Sequence, residues 1–230
     1  MTDLRSSGSV PIDIGTRLEL MIDDYLVARL SGDAKLRLNR PIPREAVMVM
    51  DKPWEGNASA AFTIFQDGDI YRMYYRGRQF EISDTTLSEP SGLTCYAEST
   101  DGINWVRPDL GLIEHNGSKN NNIIIDGENS NIPSSIFVPF KDTNSNAPPD
   151  AKYKAWGKPA FFKIKEKPYY SIKGGASRKG HGPEVPDGLH ALKSHDGIHW
   201  TTMSDGPVIE DGLLDSQNLA FWDSVRGEYR

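Results

Sequence analysis

Ser99-Thr100-Asp101-Gly102-Ile103-Asn104-Trp105 returns as Ser194-His195-Asp196-Gly197-Ile198-His199-Trp200. The two aspartates are 196 − 101 = 95 residues apart. Each copy follows an alternating stretch, Leu93-Thr94-Cys95-Tyr96-Ala97-Glu98 in the first and Leu189-His190-Ala191-Leu192-Lys193 in the second. Asp-Gly between extended runs is β-hairpin chemistry, because glycine accepts positive φ without a steric cost. The tryptophan then opens the partner strand. A coincidence of S-x-D-G-I-x-W is implausible, so the chain carries an internal repeat.

A second pattern precedes the first. Phe62-Thr63-Ile64-Phe65-Gln66-Asp67 is followed by Tyr71-Arg72-Met73-Tyr74-Tyr75, and Phe137-Val138-Pro139-Phe140-Lys141-Asp142 by Tyr153-Lys154-Ala155-Trp156. Leu219-Ala220-Phe221-Trp222-Asp223 is followed by Glu228-Tyr229-Arg230. The unit is an apolar strand, a Tyr-Arg/Lys strand, a third strand, an Asp-Gly turn and a Trp strand. Four antiparallel strands per repeat make one propeller blade. The expected fold is therefore all-β, part of a β-propeller. Residues 1–58 lead into blade one (59–107); 108–208 hold a linker and blade two, and 209–230 begin blade three. A propeller closes with at least four blades, so the chain is expected to be a fragment, inactive by itself.

The composition agrees. Twenty-one Gly and 15 Pro are spread along 230 residues, with nine Tyr, eight Phe and five Trp, as short strands and turns require. Leu18–Leu30 reads as extended. Polar turn clusters fall at Asn116–Asn122, Thr143–Asp150 and Lys173–Pro183. The net charge of −6 argues against nucleic acid or an anionic membrane as partner. No apolar run reaches the roughly 18 residues of a membrane helix, and no secretory signal is visible, which points to the cytoplasm. The single cysteine, Cys95, excludes an internal disulfide and reads as a buried structural thiol.

Several motifs fail on their context. KGGASRKGHG lacks the phosphate-loop order, and Pro183 and Pro186 prevent a following helix. His195 and His199 have a metal-like spacing, but the first copy has Thr100 and Asn104 there. Neither H-E-x-x-H nor G-x-S-x-G occurs. No metal and no cofactor are expected.

Carboxylates carry the remaining chemistry. Residues at the start of each blade's innermost strand converge at one mouth of a propeller. Blade one offers Asp51, Glu55 and Asn57, and blade three offers Asp215, Gln217 and Asn218; blade two has Asp126, Asn131 and Ser134. Two carboxylates from separate blades supply an acid and a base or nucleophile for glycosidic cleavage. Trp54 and Trp222 offer flat faces for sugar rings, and the amides could hold sugar hydroxyls. Asp67, Asp142 and Asp223 recur with the repeat and read as turn residues. Glu55 and Asp215 have no acidic counterpart in blade two, as a site rather than a scaffold would produce.

The segments MIDDYLV, DKPWEGN, YRMYYRG, CYAESTDGINW, GSKNNNI, PFKDTNSNAPPDAKYKAWG, SHDGIHW and DSQNLAFWD resemble a bacterial group described as glycosyl hydrolase family 32 N-terminal-like proteins. The resemblance runs from about Gly15 onward. It implies a five-bladed propeller of the superfamily that includes invertases, levansucrases and arabinanases. There, acidic residues from the first three blades act as nucleophile or base, transition-state stabiliser and acid. Glu55-Gly56-Asn57 is a loose counterpart of the invertase W-M-N-D-P-N-G, R-D-P and E-C are absent, and Asp215 falls where the third blade's acid would be. The expectation is carbohydrate cleavage by Glu55 or Asp51 with Asp215. The alternative is a non-catalytic propeller binding a carbohydrate or a protein.

Overall fold

A computed structural model describes residues 2–3, 10–20, 22–82, 87–88, 92–127, 129–159, 188–211, 214 and 216–230. The chain divides into two compact units, Met1–Glu45 and Ala46–Arg230. In the first, β1 (Thr2–Asp3) pairs antiparallel with β2 (Arg29–Leu30). Among its described residues Leu18–Leu30 contains no helix, and Leu18, Leu20 and Ile22 are exposed.

The second unit contains the repeats. β3 (Ala60–Asp67) and β4 (Ile70–Gly77) are followed by a small hairpin, β5 (Glu81–Ile82) and β6 (Leu87–Ser88). Then come β7 (Leu93–Ser99) and β8 (Ile123–Asp126), giving a four-stranded antiparallel sheet in the order β3-β4-β7-β8. The second repeat builds β9 (Val138–Lys141), β10 (Tyr153–Gly157), β11 (His190–Ser194) and β12 (Thr201–Thr202), again four antiparallel strands in chain order. β13 (Trp222–Asp223) and β14 (Glu228–Tyr229) form a two-stranded hairpin. The chain is all-β with open antiparallel sheets. A single 3₁₀ turn, Pro149–Ala151, is its one helical piece among the described residues.

The two S-x-D-G-x-x-W segments share one hydrogen-bond scheme. Ser99 Oγ accepts from the Gly102 amide (2.9 Å), and Asp101 Oδ1 accepts from the Ile103 (2.8 Å) and Asn104 (2.7 Å) amides. Ser194 does the same for Gly197 (2.8 Å), and Asp196 for Ile198 (2.8 Å) and His199 (2.9 Å). The indole N–H of each tryptophan donates to the glycine carbonyl, Trp105 to Gly102 at 3.1 Å and Trp200 to Gly197 at 2.9 Å. Both glycines have positive φ, +73° and +81°. Asp-Gly is not the tip of a two-residue hairpin, however. Each copy is a seven-residue loop, 99–105 or 194–200, closed by the pairs Glu98–Val106 and Lys193–Thr201.

The last strand of each sheet is divided, which the sequence did not announce. After Val106 the chain leaves the first sheet at Pro108, whose ring nitrogen has no hydrogen to donate, and returns only as β8. The outer edge of this sheet therefore lies beyond residue 107, in the stretch read as linker. Similarly, β12 ends at Thr202 and the chain returns to Leu189 through Ile209, after Gly206-Pro207.

The two sheets pack face to face, with β3 against β9. Tyr74, Tyr96, Ile124 and Ile125 of the first sheet share a buried cluster with Phe137, Tyr153, Ala155, Leu192 and Trp200 of the second repeat. Phe137 and Trp200 meet edge to face at 4.9 Å, a geometry that adds about 0.5–1.5 kcal/mol beyond burial. The opposite face of the first sheet buries Met73, Tyr75, Leu93 and Cys95 under Met48, Met50, Trp54 and Trp105. Burial pushes the Cys95 thiol well above its ordinary range, so it is an inert core group.

Candidate functional site

The segment Val49–Asn57 is clamped to the first sheet by Glu55. Glu55 is 0% exposed. Its Oε1 accepts from the Tyr75 hydroxyl (2.6 Å) and Arg107 Nε (2.7 Å), and its Oε2 from the Lys52 amide (2.9 Å) and Arg107 Nη2 (3.0 Å). Arg107 also donates to the carbonyl of Val49. The Tyr75 hydroxyl accepts in turn from Asn122 Nδ2 (2.8 Å), and the Asn122 side-chain Oδ1 accepts from the Trp54 indole (2.7 Å). Burial, with Cys95 and Glu55 nearby, drives the Tyr75 phenol far above its usual range. Gly56 (φ +69°) makes the turn possible, since a Cβ there would lie 2.2 Å from the Arg78 carbonyl oxygen.

A carboxylate with both oxygens engaged by internal donors has no face left for a substrate. Glu55 is thus a brace in this structure, and Trp54 is a half-buried wedge with its N–H used internally. Its lack of a counterpart in the second repeat follows from that bracing of residues 49–57. Asp51 differs: its side chain is 58% exposed, 3.3 Å from Lys52 Nζ and 3.6 Å from Arg107 Nη2. Arg107 therefore links the two acids. Asn57 is exposed and exchanges two hydrogen bonds with the Phe80 backbone, at 3.0 and 2.8 Å.

On the third repeat, Asp215 lies outside the described residues. Its neighbour Gln217 reaches the first sheet, with Nε2 donating to the Phe62 carbonyl (3.2 Å) and Thr63 Oγ1 (3.1 Å). Asn218 Nδ2 donates to the carbonyls of Leu214 (3.2 Å) and Ser216 (3.3 Å). Backbone strain collects here. Among the described residues four non-glycine residues have positive φ, and three of them, Ala61 (+55°), Leu214 (+47°) and Ser216 (+60°), flank this contact. Such conformations cost of order 1–3 kcal/mol each and cluster at functional positions. Ala61 also lies in the register shift of β3 against β4. Trp222 is half-buried, edge to face with Tyr229 at 4.9 Å. The structure brings Gln217 to the start of β3 and leaves the Glu55 side chain facing inward.

The second-repeat candidates are placed differently. Asp126 ends β8 in the first sheet and accepts from Asn129 Nδ2 at 2.6 Å. Ser134 is buried, and its hydroxyl has no hydrogen-bond partner among the described residues. His195 and His199 are exposed around Asp196, with His199 Nδ1 2.8 Å from its Oδ2. Among the described residues no group of three or more His, Cys, Asp and Glu could hold a metal ion, and no helix is long and apolar enough to cross a membrane. KGGASRKGHG lies outside the described residues.

Two acids read as turn residues have a larger role. Asp67 accepts from Arg72 Nε (2.6 Å) and from the Tyr153 hydroxyl of the second sheet (2.5 Å), with Lys141 Nζ 2.7 Å away. Burial alone would raise its pKa, but the hydrogen bonds from Lys141, Tyr153 and Arg72 outweigh it and hold the carboxylate well below its usual range. Burial and Asp67 together push the Tyr153 phenol up to about 12. Asp142 is likewise joined to Lys154 and to the Tyr229 hydroxyl. The tyrosine-plus-cation pairs were legible in the sequence, but their acceptors one repeat earlier were not.

No protein-family model, no curated protein and no solved structure matches this chain.

Proposed function

We propose that the chain contributes successive blades to a β-propeller that acts on carbohydrate at its axial mouth. The supporting observation is the contact of Gln217 with the strained start of β3, which brings the entrance to the third repeat beside the first strand of the first repeat, in keeping with repeats arranged about a common axis. Sheet-to-sheet packing through β3 and β9 supports the same arrangement. The exposed amide side chains of Asn57 and Gln217 suit sugar hydroxyls. In a glycoside hydrolase Asp215 serves as general acid and Asp51 is the remaining first-repeat carboxylate, Glu55 being consumed by Arg107. A carbohydrate-binding propeller without turnover is the second reading, favoured by that same loss of Glu55 from the chemistry.

The test uses the longest natural polypeptide containing this sequence, with aryl glycosides for turnover and a glycan panel for binding. Asp215→Asn lowers turnover by at least about a hundredfold if Asp215 is the acid. Binding that Gln217→Ala weakens, in a protein without turnover, selects the binding reading. A protein that neither binds nor cleaves any glycan removes both.

A further inference from the structure

Asn116-Gly117 is the only Asn-Gly pair in the chain. It forms a two-residue connection: the His115 amide donates to the Ser118 carbonyl (2.8 Å), and the Ser118 amide donates to that of His115 (3.1 Å). Both central residues have positive φ, +51° and +80°, as such a tight turn demands. The two hydrogen bonds hold the ends of the turn and leave its centre open. Asn116 and Gly117 are exposed, and among the described residues neither the Asn116 side-chain amide nor the Gly117 N–H has a hydrogen-bond partner. There is room as well, since a Cβ built on Gly117 would meet nothing within 4 Å.

Three other asparagines that precede a small residue are tied down. Asn57 exchanges two side-chain bonds with the Phe80 backbone. Asn129 Nδ2 donates to Asp126 (2.6 Å), and Asn144 donates to the Tyr229 hydroxyl (3.2 Å) while accepting from the Asn146 amide (2.9 Å). The Asp-Gly pairs of the repeat are guarded too. Asp101 and Asp196 each commit Oδ1 to two amides, and the amides of Gly102 and Gly197 donate to Ser99 and Ser194. Asp196-Gly197 is locked further by the sheet-to-sheet clamp, where Arg72 Nη1 donates to the Asp196 carbonyl (3.0 Å) and the Tyr74 hydroxyl to that of Gly197 (3.0 Å).

We infer that Asn116 is a self-modifying site, converted to aspartate and isoaspartate by attack of the Gly117 nitrogen on the Asn116 side-chain carbonyl carbon. Glycine carries no side chain to hinder that approach. The Gly117 nitrogen gives up its proton to solvent and bonds to Cγ; the Cγ–Nδ2 bond breaks, and ammonia leaves with a proton returned by solvent. Water, the one co-reactant, then opens the succinimide ring. Addition at Cγ leaves aspartate, and addition at the main-chain carbonyl leaves isoaspartate. Either product replaces a neutral amide by a carboxylate. Isoaspartate also routes the main chain through Cβ, so the lengthened connection breaks the His115–Ser118 pair. The change stays local, because Asn121 Nδ2 holds the segment to the carbonyls of Ile113 (2.9 Å) and Ser118 (3.2 Å). The inference stands independently of the carbohydrate reading, since no residue of the proposed mouth takes part.

Peptide mapping of residues 1–230, aged in the folded state at mildly alkaline pH in heavy-oxygen water, tests this. The peptide holding Asn116 should split into aspartyl and isoaspartyl forms, each labelled with one heavy oxygen. It should do so at least about tenfold faster than the peptides holding Asn129 and Asn144 change, because those side chains are kept from near-attack geometry. The rate rises with pH, as the attacking nitrogen must shed its proton. Asn116→Gln, whose longer side chain no longer places its carbonyl carbon against the Gly117 nitrogen, removes the conversion. In the isoaspartyl form, hydrogen exchange should show the His115 and Ser118 amides losing protection; retained protection overturns the opening of the turn. Conversion at Asn116 no faster than at Asn129 and Asn144 overturns the inference. So does an aspartyl product with no isoaspartyl form, which would mean direct hydrolysis without the Gly117 nitrogen.

Discussion

Glu55 and Asp67 show how much a residue's role depends on what surrounds it. Glu55 has the residue type and the position of a catalytic acid, and its sequence context singles it out. What sequence does not carry is burial, and the four donors around its oxygens make it a buried ion pair with Arg107. Removing one partner of such a pair strands the other, a loss of about 3–5 kcal/mol. Glu55→Ala should therefore lower the urea midpoint sharply, whereas Asp51→Ala, at an exposed side chain, should barely move it. Asp67 makes a prediction about pH. Its folded-state pKa is held below the unfolded value of about 3.9. The stabilisation it provides is thus present above that value and is lost as pH falls through it toward the folded-state pKa. In acid titrations of stability, Asp67→Asn should flatten the limb below about pH 4; an unchanged limb would assign acid sensitivity to other carboxylates.

The strands and loops were the most legible part of the chain. Aromatic and β-branched alternation marks β3, β4 and β7, and the seven-residue S-x-D-G-x-x-W signature marks two loops with matching hydrogen bonds. The divided outer strands were hidden, because Val106 and Ile123 are joined by a 16-residue excursion (residues 107–122) with no periodic pattern. The two loop glycines, alike in sequence, differ in what surrounds them. Gly102 has φ +73° and an added Cβ would meet only the Tyr71 ring, at 3.8 Å. Gly197 has φ +81°, but its Cβ would lie 2.7 Å from the Tyr74 hydroxyl and 3.0 Å from Arg72 Nη1. Gly102→Ala should cost only the left-handed backbone penalty, about 1–2 kcal/mol. Gly197→Ala adds a clash at the sheet-to-sheet clamp and should be the more destabilising in thermal melts; equal losses would mean that the clamp yields freely.

Residues 46–230 gain their cohesion from the cluster between the two repeats, where Tyr74 and Tyr96 of one sheet enclose Trp200 and Phe137 of the other. Local patterns predict each sheet separately, but which faces meet depends on contacts between residues about a hundred positions apart, such as Tyr74 with Gly197 across 123 residues. That long-range pairing explains why a repeat was readable and its packing partner was not. It also makes the sheets thermodynamically dependent. Trp200 is 5% exposed and touches both Tyr74 (6.4 Å between ring centroids) and Phe137 (4.9 Å). Trp200→Ala should cost about 3–5 kcal/mol, through lost burial and the cavity left behind. Because the cavity borders both sheets, the loss should appear in both. Native-state hydrogen exchange distinguishes the outcomes: amides of β4 and β7 should lose protection by about as much as those of β10 and β11. If only β10 and β11 lose protection, the first sheet holds itself together, with Met48, Met50 and Trp54 on its far face supplying enough burial for an independent fold.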